Sequence, residues 1–285
     1  MKTYTAHAKC ILSGEHTVIR GGDAIVTSYK KFFLSLTITA SKDLEFVCND
    51  FDESLIKDLR HLIATAMQYL TNNSLVIPDF KYELTGKFPA RKGLGFSAAL
   101  CSIVADFCCE YVNKIALKYS LAHFLEHIFH GNSSGLDIVG VNADAIIKFK
   151  NMDNFYAIKD RLPFNIAVTF ANTEQTIATK DCVNKVLNQF KSNITKFEQV
   201  DLQMKQASLL MERAICKTCM NSLIESFNLS LDCYEKWGLV SARDRSHIVD
   251  LYNKGAIAVR ITGAGGSGSF LSVWDEKCLD DLDFL

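Results

Sequence analysis

Alternation of apolar and polar residues marks the first clear element of the chain. Residues 31–40 read KFFLSLTITA, and this period predicts a strand with residues 44–47 as its hairpin partner. Between residues 51 and 70 the spacing of apolar residues becomes that of a helix. The positions that give this spacing are Leu55, Leu59, Leu62, Ile63 and Ala66. The pattern therefore predicts strands followed by an amphipathic helix.

A second helix is predicted directly after a glycine-rich segment. Residues 82–84 are a short strand candidate, the glycines follow, and one apolar helix face begins beyond Ser97. This face consists of Leu100, Ile103, Val104, Phe107 and Tyr111. A further helix is predicted over residues 121–129. Strand, glycine turn and helix thus follow one another without a linker.

The second half of the chain repeats the mixture of strands and helices. Strands are predicted at residues 145–149, 155–158 and 166–170, and helices dominate from residue 177 to residue 236. The end returns to a strand at 256–261, glycines at 263–268 and a strand at 269–274. This order favours an α+β fold in two lobes that meet near residue 150.

Bulk composition narrows the function classes. The chain has 285 residues, 48% of them hydrophobic and 22% charged, which suffices for a substantial core. The formal net charge is −1 and the Lys and Arg residues are scattered, so neither nucleic acid nor a membrane is expected as a partner. No apolar run reaches the about 18 residues that a membrane span requires.

The ten cysteines are predicted to be reduced thiols. A long chain that begins MKTYTAHAKC has no charged-then-apolar leader, so we expect mostly buried thiols and a cytoplasmic location. Cys216 and Cys219 form a C-x-x-C pair, but no second pair stands at zinc-ribbon spacing. Two ordinary thiols on a helix are therefore expected there.

Residues 89–100 read PARKGLGFSAAL and are the first candidate for chemistry. Glycines let the backbone approach a phosphate, and the start of the following helix adds unpaired N–H groups and partial positive charge. The Ser97 hydroxyl is placed to reach a metal ion held by such phosphates. The plain alternative is a tight turn before a helix.

The same segment resembles the phosphate loop of the GHMP kinase superfamily, P-x-x-x-G-L-G-S-S-A-A. Phe96 stands at the first serine of that motif, and Ser97 matches the second, which holds magnesium in the family. The resemblance implies ATP binding by Gly93, Leu94, Gly95, Phe96, Ser97, Ala98 and Ala99.

The amino-terminal residues 6–25 read AHAKCILSGEHTVIRGGDAI and contain a lysine in an apolar neighbourhood. Lys9 alone is most simply a surface lysine with a buried stem. The stretch nevertheless resembles A-P-G-K-x-x-L-x-G-E-H-x-V-x-x-G of the mevalonate kinase branch, with His7 and Ala8 in place of Pro-Gly. Galactokinases share Gly-Glu-His-Thr but usually continue with Asp-Tyr-Asn. The resemblance implies a catalytic Lys9 and acceptor contacts from Glu15 and His16.

Residues 123–127 read H-x-x-E-H, the inverted zinc-protease motif. On a helix His123 and His127 lie one turn apart on one face, which can hold zinc. This favours a zinc peptidase as a different hypothesis, although no downstream glutamate stands out as third ligand. An amphipathic helix with surface histidines is the plain alternative.

A third interpretation joins this helix to the segment that follows. Glu126 lies eleven positions before Asp137, and residues 130–137 read HGNSSGLD. They resemble H-G-N-P-S-G-x-D of mevalonate kinases, in which the glutamate binds magnesium and the aspartate is the catalytic base. The resemblance implies these roles for Glu126 and Asp137 and a substrate contact for Ser134. Ser133 stands at the family's proline.

The last glycine-rich segment resembles the third motif of the superfamily. Residues 261–268 read ITGAGGSG, close to the T-G-A-G-G-G-G of the family, with Arg260 near its lysine and Ser267 in place of one glycine. The resemblance implies that Gly263 and Ala264 lie beside the acceptor. Residues 172–180 are similar to the family's substrate-side segment, which implies a contact from Thr179. A flexible hairpin loop is the plain alternative.

Together the motifs imply a fold and a reaction. The fold is the α+β, two-lobed GHMP-kinase fold, with a ribosomal-protein-like βαβ lobe at residues 1–150 that binds ATP and a ferredoxin-like lobe at 151–285. The reaction is ATP-dependent phosphorylation of the mevalonate hydroxyl to 5-phosphomevalonate, with Mg²⁺ held by Ser97 and Glu126. Asp137 would accept or orient the hydroxyl proton, and Lys9 would stabilise the developing charge.

Other functions stay open at this point. A GHMP kinase for phosphomevalonate or a sugar carries the same motifs, and a non-catalytic homologue would bind ligand without turnover. Family members are often dimers, so the resemblance allows a homodimer.

Overall fold

The structure is a computed structural model of the chain that describes residues 1–72, 77–89, 92–131, 133–171, 177–266, 268–275 and 282–285. The strands within these residues are β1 Lys2–Ser13, β2 Ala24–Ala40, β3 Glu45–Cys48, β4 Phe80–Lys87, β5 Ile146–Asn151, β6 Asn154–Lys159, β7 Asn165–Phe170, β8 Ala258–Ile261, β9 Ser269–Trp274 and β10 Asp283–Phe284. The α-helices are α1 Ser54–Thr71, α2 Phe96–Tyr111, α3 Lys118–His130, α4 Leu136–Val141, α5 Thr179–Ser192, α6 Ile194–Lys217, α7 Met220–Lys236 and α8 Ala242–Asn253.

The chain forms two compact units, each assembled from separate pieces. The first unit comprises Met1–Lys9, Ser28–Pro89 and Gly95–Asn142, and the second comprises Cys10–Thr27, Ala90–Leu94 and Ala143–Leu285. The division into domains at residue 150 stays a prediction.

In the first unit β2 is the strand on which the sheet is built. It pairs antiparallel with β4, placing Leu36 opposite Leu84, and β4 in turn pairs in parallel with β3. β1 also pairs with β2, and the hydroxyls of Thr3 and Thr37 lie 2.9 Å apart. Apolar side chains of these strands and of α1 to α4 form one buried core. Each fully buried Leu or Ile in such a core contributes about 1.5–3 kcal/mol.

The second unit contains a sheet of its own, in the order β10–β7–β9–β8. β7 and β9 run antiparallel, with Ile166 opposite Val273. Helices α5 to α8 share a second buried core with this sheet. β5 and β6 form a further antiparallel pair, to which the first residues of β2 are joined.

The helix and strand predictions are confirmed for most elements. All five positions predicted for the apolar face of α1 are buried, and the strands predicted around residues 147, 157 and 168 are β5, β6 and β7. The α+β class is also confirmed, since helices and two sheets occur in the described residues.

Two predictions about local structure were wrong. Residues 44–47 were expected to pair with the strand at 31–40, but β3 pairs in parallel with β4, which occupies that edge of β2. Tyr111 was expected on the buried face of α2, but it is 51% exposed because it lies in the last turn of the helix.

Helix α8 has no counterpart among the sequence predictions, although the sequence carries a signal for it. The Ser241 hydroxyl accepts the Asp244 amide at 3.1 Å, and the Asp244 carboxylate accepts the Ser241 amide at 2.8 Å. This reciprocal pairing is a capping box, which the sequence S-x-x-D at 241–244 predicts.

The described cysteines are free thiols. Cys216 lies in the last turn of α6 and Cys219 directly precedes α7, so the pair flanks a helix break instead of sharing one helix as expected. Thr218 between them has a positive φ of 54°, which ends α6. Within the described part of the chain, no helix combines the length and the apolar character that crossing a membrane requires.

Candidate active site

A buried ion pair lies at the centre of the predicted site in the first unit. Lys9 is on β1 and is only 3% exposed, and its Nζ lies 2.9 Å from Oδ1 of Asp137. Asp137 is in the first turn of α4, where an acidic side chain is favoured by the helix dipole. Lys9 is therefore no surface lysine: the fold buries its charge against the predicted catalytic carboxylate.

The glycine-rich segment borders the same lysine. Gly95 precedes α2 with a positive φ of 83°, and a Cβ at this position would lie 2.9 Å from Cγ of Lys9 and 3.1 Å from Cγ1 of Val141. Only glycine satisfies both the backbone conformation and the contact. The free N–H groups at the start of α2 are thereby brought beside a cation, and Ser97 lies in that first turn.

Phe96 has a structural reason to replace the serine of the related motif. Its ring makes edge contacts with Phe51 at 5.7 Å and with Phe88 at 5.3 Å between centroids. These contacts anchor the first residue of α2 to the core of the first unit.

Glu126 is a buried carboxylate on α3, only 2% exposed. Burial raises its pKa to about 8, and the charge of Asp137 acts in the same direction. The Ser133 hydroxyl, which donates a hydrogen bond to Oε2 of Glu126, and the Lys9 charge both oppose this shift. A hydroxyl from Ser97 and a buried carboxylate short of positive charge are the hard oxygen ligands that suit Mg²⁺.

The two histidines of the H-x-x-E-H motif hold the segment that follows α3. His123 Nε2 lies 3.0 Å from the Ser133 carbonyl oxygen, and His127 Nδ1 lies 2.9 Å from that of Gly131. Each of these nitrogens therefore donates to a main-chain carbonyl. Within the described residues, no cluster of three or more His, Cys, Asp or Glu side chains is arranged to hold a metal.

In the second unit Glu15 forms a fully buried pair with Arg260. Nη2 of Arg260 lies 2.6 and 2.5 Å from the two oxygens of Glu15, and the two side chains are 0% and 2% exposed. The guanidinium also donates to the carbonyl oxygens of Leu12 and Ile261. The carboxylate of Glu15 is thus used to fix its own turn, a role that the sequence motif did not reveal.

His16 is held in an aromatic enclosure of the same unit. It adopts a positive φ of 60°, its Nε2 lies 3.0 Å from the Ala264 carbonyl oxygen, and its ring centroid lies 4.9 Å from that of Trp237. Burial lowers the pKa of His16 to about 4, so the ring is neutral at neutral pH. Tyr234 also contacts the ring and donates a hydrogen bond to the Gly263 carbonyl oxygen.

The remaining predicted residues fall into three groups. Gly263 has a positive φ of 79°, and a Cβ there would lie 3.3 Å from the Gly93 carbonyl oxygen, so these two glycine segments meet. The Ser134 hydroxyl accepts the Leu136 amide at 3.3 Å. Thr179 is exposed at the start of α5.

Parts of the predicted motifs lie outside the described residues. These are Asn132, Ser267, residues 172–176 and the side chain of His130.

Sequence reasoning missed Tyr234 and Trp237, which enclose His16, and the functional link of Ser133 to Glu126. Nothing in the helical pattern of residues 220–237 distinguishes the two aromatic residues from ordinary core positions. The exchange of proline for serine at position 133 was the available signal for the second.

The first-unit group combines a buried cation, two carboxylates and a helix amino terminus. A helix amino terminus and an ammonium group attract phosphate oxygens, and a carboxylate beside them can accept or orient a proton. These are the components that phosphoryl transfer requires, since it depends on positioning and charge neutralisation.

Comparison with known proteins agrees with this chemistry. Residues 61–141 match the family described as GHMP kinases N terminal domain, a segment that includes Gly95, Ser97, Glu126 and Asp137. The mevalonate kinase of Aeropyrum pernix is 22% identical over 95% of this chain and 88% of its own. That of Thermococcus onnurineus is 22% identical over 96% of this chain and 89% of its own.

Solved structures share the fold at lower identity. The L. major mevalonate kinase in complex with R-mevalonate has a TM-score of 0.76 and 17% identity, over 97% of this chain and 88% of its own. Streptococcus pneumoniae phosphomevalonate kinase with phosphomevalonate and AMPPNP has 0.77 and 14%, over 97% and 93%. Lactococcus lactis galactokinase with galactose also has 0.77 and 14%, over 96% and 85%. The fold therefore does not separate the three acceptors.

Proposed function

As a chain with a GHMP kinase N-terminal domain and the fold of these kinases, this protein is a phosphotransferase that acts on an alcohol, and we propose that the alcohol is mevalonate. The products are then 5-phosphomevalonate and ADP. The observation that carries the proposal is the contact of 2.9 Å between buried Lys9 and Asp137 beside the amino end of α2.

The catalytic roles follow from this contact. Asp137 accepts or orients the proton of the acceptor hydroxyl, because its carboxylate is the partly exposed member of the pair. Lys9 neutralises Asp137 and stabilises the charge that develops on the transferred phosphoryl group. The main-chain amides at the start of α2 bind phosphate oxygens of ATP.

Ser97 and Glu126 are the residues that would hold magnesium. Both offer oxygen ligands, and the buried carboxylate of Glu126 lies in the field of Asp137, where a further cation is favourable. Magnesium, when bound, neutralises charge on the phosphate groups.

The choice of acceptor rests on the motifs and on the relatives. Residues 14–18 read Gly-Glu-His-Thr-Val and residues 130–137 read His-Gly-Asn-Ser-Ser-Gly-Leu-Asp, a pair that resembles mevalonate kinases more than galactokinases. The two relatives reported above are mevalonate kinases as well. Contacts of the acceptor with Glu15, His16, Ser134, Thr179, Gly263 and Ala264 stay predictions, as do a cytoplasmic location and a homodimer.

A coupled assay of ADP release tests the proposal. The purified chain is incubated with ATP, Mg²⁺ and one of R-mevalonate, phosphomevalonate or galactose, and the Asp137→Asn variant is the control for contaminating kinases. We expect the largest kcat/KM with mevalonate and loss of this signal in the control.

Two results would contradict it in different ways. Faster turnover of phosphomevalonate or galactose would retain the kinase and replace the acceptor. Absence of ADP release with every acceptor, despite a folded protein, would favour a ligand-binding homologue without catalysis.

A further inference from the structure

The Ser133 hydroxyl occupies a position between a main-chain donor and the buried carboxylate of Glu126. The Gly135 amide donates to Oγ of Ser133 at 3.0 Å. An amide nitrogen can only donate, so the Ser133 oxygen serves as acceptor on that side and its own proton is left for Glu126. The hydroxyl accordingly donates to Oε2 of Glu126.

The main chain that carries this serine is fixed from α3. The carbonyl oxygen of Ser133 lies 3.0 Å from Nε2 of His123, and that of Gly131 lies 2.9 Å from Nδ1 of His127. The rings of the two histidines are also in contact, with centroids 4.6 Å apart. Because Glu126 lies on the same helix, the helix holds both ends of the hydrogen bond.

This arrangement orients one carboxylate oxygen and leaves the other to bind a ligand. A buried carboxylate without a fixed donor can rotate, whereas a hydroxyl bond to one oxygen restricts it. Outer hydrogen bonds of this kind orient the carboxylates that bind metals. The position is specific to this chain, since the related motif has proline there, which carries no hydroxyl.

We propose that Ser133 is a positioning residue for Glu126, and that His123 and His127 hold it in place, so that the carboxylate is preorganised for a divalent cation. The H-x-x-E-H sequence then has a role without zinc: its histidines support the loop and its glutamate is the oriented ligand. The inference rests on the proposed function, because it presumes that Glu126 binds magnesium.

The test compares Ser133→Ala with Ser133→Thr and with Ser120→Ala. Ser133→Ala removes the donor, and Ser133→Thr keeps a hydroxyl. Ser120 is a matched control, since its hydroxyl on the same helix donates to the Leu117 carbonyl oxygen. Binding of Mn²⁺ in the presence of a non-hydrolysable ATP analogue is measured by electron paramagnetic resonance, which does not depend on turnover.

We expect Mn²⁺ to bind roughly tenfold more weakly to Ser133→Ala, as is typical when a metal ligand loses its supporting hydrogen bond. Ser133→Thr should restore wild-type binding, and Ser120→Ala should not change it. In steady-state kinetics Ser133→Ala should need more Mg²⁺ for half-maximal rate but keep kcat at saturating Mg²⁺, because Glu126 itself is still present.

Wild-type Mn²⁺ binding by a folded Ser133→Ala variant would overturn the inference. If Ser133→Ala does not fold, equally weak binding by a folded Ser133→Thr variant would also overturn it. Failure of the wild-type protein to bind the Mn²⁺–nucleotide pair at all is a separate result, which would reject the metal site of the proposed function.

Discussion

Lys9 and Asp137 are 128 positions apart in the sequence, yet the fold places Nζ of the lysine 2.9 Å from the aspartate carboxylate. Lys9 is 3% exposed, and a buried ammonium group is tolerated when it is paired. Gly95 makes the burial possible because a larger residue would collide with the lysine stem. Strand, glycine turn and short helix thus converge on one charged contact.

The first prediction concerns the two members of this contact. Lys9→Met and Asp137→Asn should each lower kcat by about a hundredfold to ten-thousandfold, because charge stabilisation or proton transfer is lost. Circular dichroism should show a retained fold. Lys2→Met is the matched control, since Lys2 is an exposed lysine on the same strand that pairs with Glu110. Near-normal turnover in both variants would rule out the mechanism.

The second prediction concerns Glu126. Glu126→Gln keeps the size of the side chain but removes the charge, so the Mg²⁺ concentration for half-maximal rate should rise by roughly tenfold or more. The measurement is a Mg²⁺ titration of turnover at saturating ATP. Glu110→Gln, a partly exposed glutamate on α2, should leave the titration unchanged. An unchanged curve for Glu126→Gln would count against its metal role.

Local pattern predicted much of the fold because it depends on periodicity. The apolar face of α1 and the strands β5 to β7 follow from side-chain spacing that any buried helix or strand needs. The parallel pairing of β3 with β4 could not be predicted in this way. It depends on a partner far along the chain, and period-two alternation does not specify which strand is adjacent.

The site divides along the same line. Lys9, Ser97, Glu126 and Asp137 were identified because they stand in motifs with fixed spacing. The partner of Glu15 was not, since Arg260 lies 245 positions away and its burial is a property of the folded core. Sequence motifs therefore identified the reactive groups, whereas the groups that orient them became visible only in three dimensions.

The third prediction concerns the close contact at Gly95. Gly95→Ala combines a strained positive φ with a Cβ 2.9 Å from Lys9, so the lysine must move. Gly21→Ala is the matched control, because Gly21 has a similar φ of 77° but no atom within 4 Å of the added Cβ.

Both glycine variants should lose about 1–2 kcal/mol of stability in urea unfolding from the positive φ. Only Gly95→Ala should also lower kcat, by on the order of tenfold to a hundredfold, since displacement of a catalytic group by about 1 Å has such an effect. Equal kcat for the two variants would mean that the contact with Lys9 is not needed for turnover.

The fourth prediction concerns the buried pair of Glu15 and Arg260. Arg260→Met leaves the Glu15 carboxylate buried without its partner and should reduce the free energy of unfolding by about 3–5 kcal/mol. Arg245→Met is the matched control. It breaks an exposed pair with Glu235 and should cost about 1 kcal/mol or less.

A double-mutant cycle separates the charge effect from the loss of packing. Arg260→Met combined with Glu15→Gln should be less destabilised than the sum of the single variants, because no charge is then left unpaired. Additive effects in urea unfolding would show that the two side chains do not depend on each other.

The fifth prediction concerns the pH dependence introduced by His16. Burial lowers the pKa of His16 from 6.5 to about 4 in the folded protein. Between these values the unfolded chain binds a proton that the folded protein does not, so stability falls as the pH is lowered through this window. A shift of this size corresponds to roughly 3 kcal/mol, fully present as stability above pH 6.5 and lost on approaching pH 4.

Replacing His16 with a residue that does not titrate should flatten this dependence. Asparagine tolerates the positive φ of 60° at this position, so His16→Asn is the suitable variant. Urea unfolding at a series of pH values from 7 to about 4.5, within the window that linkage predicts, gives the slope for each protein. His61→Gln, at an exposed position on α1, is the control that should keep the wild-type slope. Equal slopes for His16→Asn and the wild-type protein would mean that another group causes the acid sensitivity, because a buried neutral ring must resist protonation until the protein unfolds.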